Sequence, residues 1–277
     1  MTIIAPLQAV GDTIHGRMCP LYSFDRGEKI HMVGSSIPFT SGGISFLITA
    51  THVCVDGRGQ FIPRFTWGTG GPRPLRNQRL MWEHRPGRPD FDIALLALSD
   101  EDRADLETCY NFSDPTVTAN VKPKTPGIHY IIAGYPSARN RMRSCMEIPP
   151  ARATYLVTDN ILEVSALKLS EKTDSHHFAL GIKAGEVRTL DSQPFRMPKP
   201  QGMSGGGIWR LDIDVRTKLA TSPLLVGIGI EYHKSKEAFV ASRIQLAIPL
   251  VHDLLSIISG SQPRDVIVLG NRNSDDG

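Results

Sequence analysis

Short apolar runs rich in Ile, Val, Leu and aromatic residues recur along the chain, many alternating with polar positions, and Gly, Pro and Asp punctuate them. A period of two puts successive side chains on opposite faces of a strand, so the pattern predicts an all-β protein, a barrel or a sandwich. Strands are predicted over 44–50, 79–84, 93–98, 128–133, 153–157, 161–166, 207–211, 224–230 and 239–247. Helix is scarce. One good helical pattern lies at 249–259, where Pro249 stands at a helix start and Leu250, Val251, Leu254, Leu255 and Ile258 recur at helical spacing. The stretch 111–126, rich in Pro, Asp, Thr and Lys, divides the strands into two groups and reads as the crossing between two halves. Beyond Gly260 the composition predicts a fraying tail over 261–277.

The chain has 277 residues, 40% hydrophobic and 21% charged, an ordinary globular balance with room for a sizeable core. A formal charge of +3 is too small at this length to argue for a nucleic-acid or anionic-membrane partner. The densest basic stretches, 73–88 and 139–143, read as solvated surface loops. No segment approaches the roughly 20 apolar residues that span a bilayer, and 1–11 lacks the basic and apolar regions of a signal peptide, so a cytoplasmic location is expected. Cys19, Cys54, Cys109 and Cys145 are scattered and form no Cys-x-x-Cys pair, which reads as reduced thiols.

Three segments carry candidate chemistry. In Pro200-Gln201-Gly202-Met203-Ser204-Gly205-Gly206-Gly207, one serine sits in a small-residue turn ahead of a strand-like run. Glycines there let successive amides converge, and those of Gly202 and Ser204 are the candidate oxyanion donors. A serine still needs a base to take its proton. The run 45–54 leads a strand through Thr49-Ala50-Thr51 into His52, and imidazole is the side chain that serves as base and acid near neutral pH. In Asp92-Ile93-Ala94-Leu95-Leu96 a carboxylate precedes an apolar strand, where it would be partly buried and fit to orient an imidazole. Each segment alone also reads as ordinary structure: a glycine-rich turn, a structural histidine, an Asp before a strand.

Together, in the order His, Asp, Ser, the segments resemble the trypsin-like (chymotrypsin-fold) serine peptidases. Thr49-Ala50-Thr51-His52 is similar to that family's Thr-Ala-Ala-His-like motif, and Gly202-Met203-Ser204-Gly205-Gly206 to its Gly-x-Ser-Gly-Gly. Ala133-Gly134-Tyr135-Pro136 resembles a stretch of the bacterial glutamyl-endopeptidase-like branch, and Ile248-Pro249-Leu250-Val251 resembles HtrA-like peptidases. The resemblance implies two antiparallel six-stranded β-barrels with a C-terminal helix: an extension over 1–33, a first barrel over 34–118 holding His52 and Asp92, and a second over 119–260 holding Ser204. It implies a serine endopeptidase acting on protein or peptide substrates through an acyl-enzyme, without cofactor or metal, and an inserted loop within 165–201. Met203 stands where zymogen-activated members carry an aspartate, so N-terminal cleavage is not expected to switch the chain on. The primary pocket is assigned to Pro198, Lys199, Pro200, Gly229 and Tyr232, with apolar or small side chains expected in it. An intracellular protease also needs restraint, which a regulatory protein or an inactive resting geometry would supply.

Other readings remain open. Gly-x-Ser-x-Gly also describes the nucleophile elbow of α/β-hydrolase esterases, but that elbow needs a strand before the serine and a helix after it. A silent trypsin-like barrel acting as a binding module would keep all three residues without turnover. His176-His177 with His129 or His233 is a further candidate metal set, set against the opposite directions of adjacent side chains on a strand.

Overall fold

The computed structural model describes residues 4–24, 30–56, 60–62, 65–68, 71–75, 79–82, 91–112, 114, 118–140, 151–169, 172–183, 186–190, 200–217, 219–258 and 267–270. Strands β1 (Cys19–Phe24), β2 (Ile30–Ser41), β3 (Ile44–Thr49), β4 (Phe65–Gly68), β5 (Gly71–Pro74), β6 (Arg79–Trp82) and β7 (Ala94–Ala97) form one sheet with the late β15 (Ile267–Gly270). Its order is β15-β6-β7-β3-β2-β1-β4-β5. A second sheet comprises β8 (Ile128–Gly134), β9 (Thr154–Thr158), β10 (Ile161–Leu162), β11 (His177–Gly181), β12 (Gly207–Asp212), β13 (Leu224–His233) and β14 (Ala238–Arg243) in the order β10-β11-β14-β13-β12-β8-β9. Every strand pair is antiparallel. The all-β, two-sheet architecture with a C-terminal helix expected of a chymotrypsin-like double barrel is thus the architecture of the chain.

Several boundaries differ from the sequence reading, each for a local reason. Among the described residues the two sheets hold eight and seven strands. The expected extension over 1–33 supplies α1 (Ile4–His15), β1 and the start of β2, and β1 pairs with β2 from Cys19↔Ser36 to Phe24↔Ile30. Val10 and Ile14 of α1 are buried, so this segment is part of the body. Within the expected tail, the apolar run of β15 pairs with β6. The strand expected over 161–166 stops at Leu162, and α4 (Val164–Leu167) follows because Asp174 caps it, Oδ1 accepting from the Val164 amide at 2.6 Å. Within 165–201, where an inserted loop is expected, lies β11, whose five residues are all buried. β14 ends at Arg243, and a 3₁₀ turn over Ile244–Leu246 leads into α5 (Ala247–Ile258), with Pro249 in its first turn where a missing N–H is harmless. Asp100–Leu106 forms a further helix, α3, whose N-cap Ser99 accepts from the Asp102 amide at 3.1 Å under an acidic first turn.

The largest hydrophobic cluster draws on both sheets and both long helices, joining Phe39, Phe46, Ile131 and Trp209 to Ile14 of α1 and Leu250 and Leu254 of α5. A second cluster joins Val53 and Cys54 to Ile230 and Val240 of the other sheet. Packing across the two halves therefore runs directly beneath the residues singled out in the sequence. Among the described residues Cys19, Cys54 and Cys109 form no disulfide, and Cys145 lies outside the described residues. No helix among the described residues is long and apolar enough to cross a membrane.

Candidate active site

Strand β3 ends at Thr49, and after extended Ala50 the chain makes one helical turn, α2 (Thr51–Cys54). Val53 and Cys54 pin that turn into the core, leaving the His52 side chain about half exposed, at 49%. His52 thus sits in a helical turn just beyond the strand. Asp92 reaches this turn three times. Its carbonyl accepts from the Thr51 amide at 3.2 Å, Oδ1 accepts from the His52 amide at 3.1 Å, and Oδ2 accepts from His52 Nδ1 at 2.7 Å. One carboxylate thereby fixes both the backbone and the ring of the same residue.

Asp92 has φ of 50°, a left-handed conformation that disfavours a residue with a Cβ by roughly 1–2 kcal/mol. Such backbone persists where its surroundings over-determine it. Here the three bonds to α2 hold it from one side and buried Ile93 and Ala94 from the other. The second sheet braces the same segment: Ser242 of β14 donates to the Phe91 carbonyl, and the Phe91 and His176 rings lie 4.6 Å apart.

The bond to Asp92 places a proton on Nδ1 of His52 and leaves Nε2 as the basic nitrogen. Burial alone pushes the ring's pKa down, but the Asp92 hydrogen bond and charge, with the Glu231 carboxylate, outweigh it against the opposing Lys172 ammonium. The result lies above the usual value of 6.5. Glu231 Oε1 lies 3.2 Å from His233 Nε2 and 3.8 Å from Lys172 Nζ.

Ser204 lies in a turn shaped by Gly202 and Gly205, whose φ values of 91° and 82° favour glycine. A Cβ on Gly205 would meet Ser35 O at 2.0 Å, so the turn lies hard against β2. Hydrogen bonds tie the two together: the Ser35 amide donates to Ser204 O at 2.8 Å, and Ser35 Oγ donates to Gly202 O at 2.8 Å. A point in the Cβ position of Gly34 lies 2.5 Å from Val53 Cγ1 and 3.2 Å from Ser204 O. The turn bearing His52 and the turn bearing Ser204 meet across that glycine.

The serine hydroxyl itself donates to the Ile230 carbonyl at 3.0 Å. Among the described residues it makes no hydrogen bond to His52. The Gln201 carbonyl accepts from the Ser137 amide at 2.7 Å. A trans peptide carries its N–H opposite its C=O, so the Gly202 amide points away from Ser137. Among the described residues neither the Gly202 nor the Ser204 amide has a protein acceptor, which leaves both free to receive an anionic oxygen.

Of the expected pocket residues, Pro198 and Lys199 lie outside the described residues. Pro200 opens the serine turn, its carbonyl accepting from the Met203 amide at 2.9 Å. Gly229 exchanges hydrogen bonds with that turn, donating to Gly206 O at 2.8 Å and accepting from Gly205 N at 2.7 Å. Tyr232 pairs with Phe239 across β13 and β14, and the Phe239 ring edge packs against Gly229, 2.5 Å from where a Cβ would stand. Three contributors escaped the sequence reading: Ser35 acts through its hydroxyl, Ser137 through its amide and Lys172 through its charge. Among the described residues no group of three or more His, Cys, Asp or Glu side chains is placed to hold a metal. His177 Nδ1 accepts from the Thr173 amide at 3.2 Å, and burial, then Lys172, pushes that ring down to about 4.

No protein-family model matches the chain, and no curated protein does. Among solved structures, the HtrA-type protease AlgW with a tripeptide superposes with a TM-score of 0.49 at 15% identity, covering 92% of this chain and 64% of that one. A variant of AlgW with a tripeptide gives 0.48 at 14% identity, over 90% and 63%. The chain spans under two thirds of the length of these proteases, and the likeness says nothing of activity.

Proposed function

We infer that the chain is a serine endopeptidase in which Ser204 attacks a peptide carbonyl, His52 takes and returns its proton, and Asp92 holds the ring. The observation that carries this reading is the 2.7 Å bond from His52 Nδ1 to Asp92 on a turn packed against the turn bearing Ser204. The Ser204 hydroxyl bonded to Ile230 O is the resting arrangement, and a rotamer change about Cα–Cβ, a motion of picoseconds to nanoseconds, directs it to Nε2. As the Ser204 Oγ–carbon bond forms, the Oγ proton passes to Nε2 and the carbonyl oxygen gains negative charge near the Gly202 and Ser204 amides. His52 then returns the proton to the leaving amine, and water, deprotonated by the same nitrogen, releases the acyl group.

The buried, apolar surroundings of Met203, beside Tyr130 and Ile208, support a chain that needs no N-terminal cleavage to order this turn. We place the chain in the cytoplasm, on its four scattered cysteines without a Cys-x-x-Cys pair. Cleavage of a denatured protein substrate tests the activity: Ser204→Ala is expected to lower kcat by about 10⁴ or more. Equal cleavage by that variant overturns the reading. A second reading, a silent barrel that only binds peptides, is favoured by the occupation of the serine hydroxyl by Ile230. Peptide binding without cleavage in the intact chain would select it.

A further inference from the structure

Two peptide planes meet at Asp92, and one of them is held from the other sheet. A trans peptide is planar, so fixing the direction of its C=O fixes the plane from which the φ of the next residue is measured. The Asp92 carbonyl accepts from the Thr51 amide at 3.2 Å, which orients the peptide between Asp92 and Ile93. The hydroxyl of Ser242 in β14 donates to the Phe91 carbonyl, which orients the peptide between Phe91 and Asp92. Between two oriented planes the backbone angles of Asp92 are set, its φ of 50° included, and with them the direction in which the carboxylate leaves the backbone towards His52.

Ser242 is fully buried, and a hydroxyl in such a place is costly unless it is hydrogen-bonded. Its neighbours across the ladder are His177 of β11 and Ile228 of β13, both fully buried, so packing alone would suit an apolar side chain there. The bond to Phe91 is what the hydroxyl supplies. A second hold on Phe91 comes from the residue before β11: the Phe91 and His176 rings lie 4.6 Å apart, and His176 is fixed by the Arg243 amide, which donates to its carbonyl at 2.8 Å, and by a 3.0 Å hydrogen bond between its Nδ1 and the Thr173 hydroxyl. The same strands also carry the serine turn. Ser242 stands opposite Ile228, and the next residue of β13, Gly229, accepts from the Gly205 amide at 2.7 Å and donates to Gly206 O at 2.8 Å. One pair of adjacent strands therefore holds the turn bearing Ser204 by β13 and the approach to Asp92 by β14.

We propose that Ser242 is a positioning residue: its hydroxyl, anchored on the strands that hold the serine turn, sets the backbone of Asp92 and so aims the carboxylate at His52 Nδ1. Without that hydroxyl the peptide between Phe91 and Asp92 is free to rotate, the left-handed Asp92 relaxes, and the carboxylate turns off the ring. The effect on the His52–Asp92 pair stands on these hydrogen bonds alone. The effect on turnover rests on the endopeptidase reading.

Two measurements on Ser242→Ala keep these apart. In full-length protein carrying Ser204→Ala, which excludes self-cleavage, the imidazole ¹⁵N shifts of His52 through a pH titration report which nitrogen holds the proton and at what pH the ring titrates. The Glu231 and Lys172 charges that also act on this ring are the same in each variant, so a moved midpoint reports the bond to Asp92. Ser242→Ala is expected to lower the midpoint and to mix the two neutral tautomers, where the parent keeps its proton on Nδ1. With Ser204 restored, Ser242→Ala is expected to lower kcat for a peptide by about 10- to 100-fold while KM stays within about twofold, as for a reacting group moved out of line. Thermal midpoints report whether the variant folds, and Ser242→Cys, a near isostere whose thiol is a weak donor, gives the same comparison if the alanine variant does not. An unmoved midpoint and tautomer in the substituted protein, whatever the loss of thermal stability, overturn the proposal. A wild type that cleaves nothing sinks the endopeptidase reading, while the imidazole spectra still decide the role of Ser242.

Discussion

At the scale of single residues, Asp92 does the most with one side chain. Its three bonds to Thr51 and His52 account for its left-handed backbone and for the tautomer of the ring. Asp92→Asn keeps the shape but offers Nδ1 an amide, and it is expected to lower kcat/KM for a peptide by about 10⁴ while leaving far-UV circular dichroism unchanged. The raised pKa of His52 sets a second expectation. Activity needs the neutral ring, so it should rise with pH through a midpoint above 6.5, and Glu231→Gln, which removes a negative charge that favours the imidazolium, should move that midpoint down. In stability the sign is opposite: the contribution of a raised His52 is fully present below about 6.5 and lost as pH rises through the folded value. His177 behaves conversely. Held neutral, it weakens the fold as pH falls from about 6.5 towards about 4, where it too takes a proton. His52, Asp92 and Ser204 were legible as residues because small neighbours and an apolar strand flank each one. Ser35 was not, because it acts through a distant hydroxyl that no spacing in the chain reveals.

At the scale of elements, the serine turn is held by its neighbours more than by its own glycines. Ser35 Oγ joins Gly202 O to the Tyr135 amide, which donates to it at 2.9 Å, and Ser35 is fully buried. Ser35→Ala leaves both groups without that partner and should cost about 1–3 kcal/mol by urea denaturation, with a larger change in kcat than in KM if, as proposed, the Gly202 and Ser204 amides hold the oxyanion. Strands with a clean apolar run, such as β8 and β12, lie close to where the pattern put them. β11 was hidden because its apolar residues follow a polar His176-His177 pair, and α3 because its Ser-x-x-Asp cap outweighs a nearly all-polar body.

At the scale of the molecule, the two sheets meet in the largest hydrophobic cluster, and α1 is a structural member of it. Ile14 is fully buried in the cluster that includes Trp209, so Ile14→Ala should lower stability by about 2–5 kcal/mol, measured by thermal or urea unfolding, with the His52–Asp92 hydrogen bond intact. The sequence left this helix unread because Val10 and Ile14 are separated by Gly11, Asp12 and Thr13, a mixture that also suits an extended leader. Two halves were legible, since the Pro- and Asp-rich crossing interrupts the strand pattern; how many strands each sheet gathers was not, because β1 and β15 are recruited by pairing partners far along the chain.

The central claim is that Ser204 is a nucleophile activated by His52. Reaction of the intact chain with a fluorophosphonate, followed by peptide mapping, measures it most directly. A single adduct on Ser204 that disappears in His52→Ala is the predicted result, and either an adduct on another residue or labelling of Ser204 undiminished in His52→Ala contradicts it.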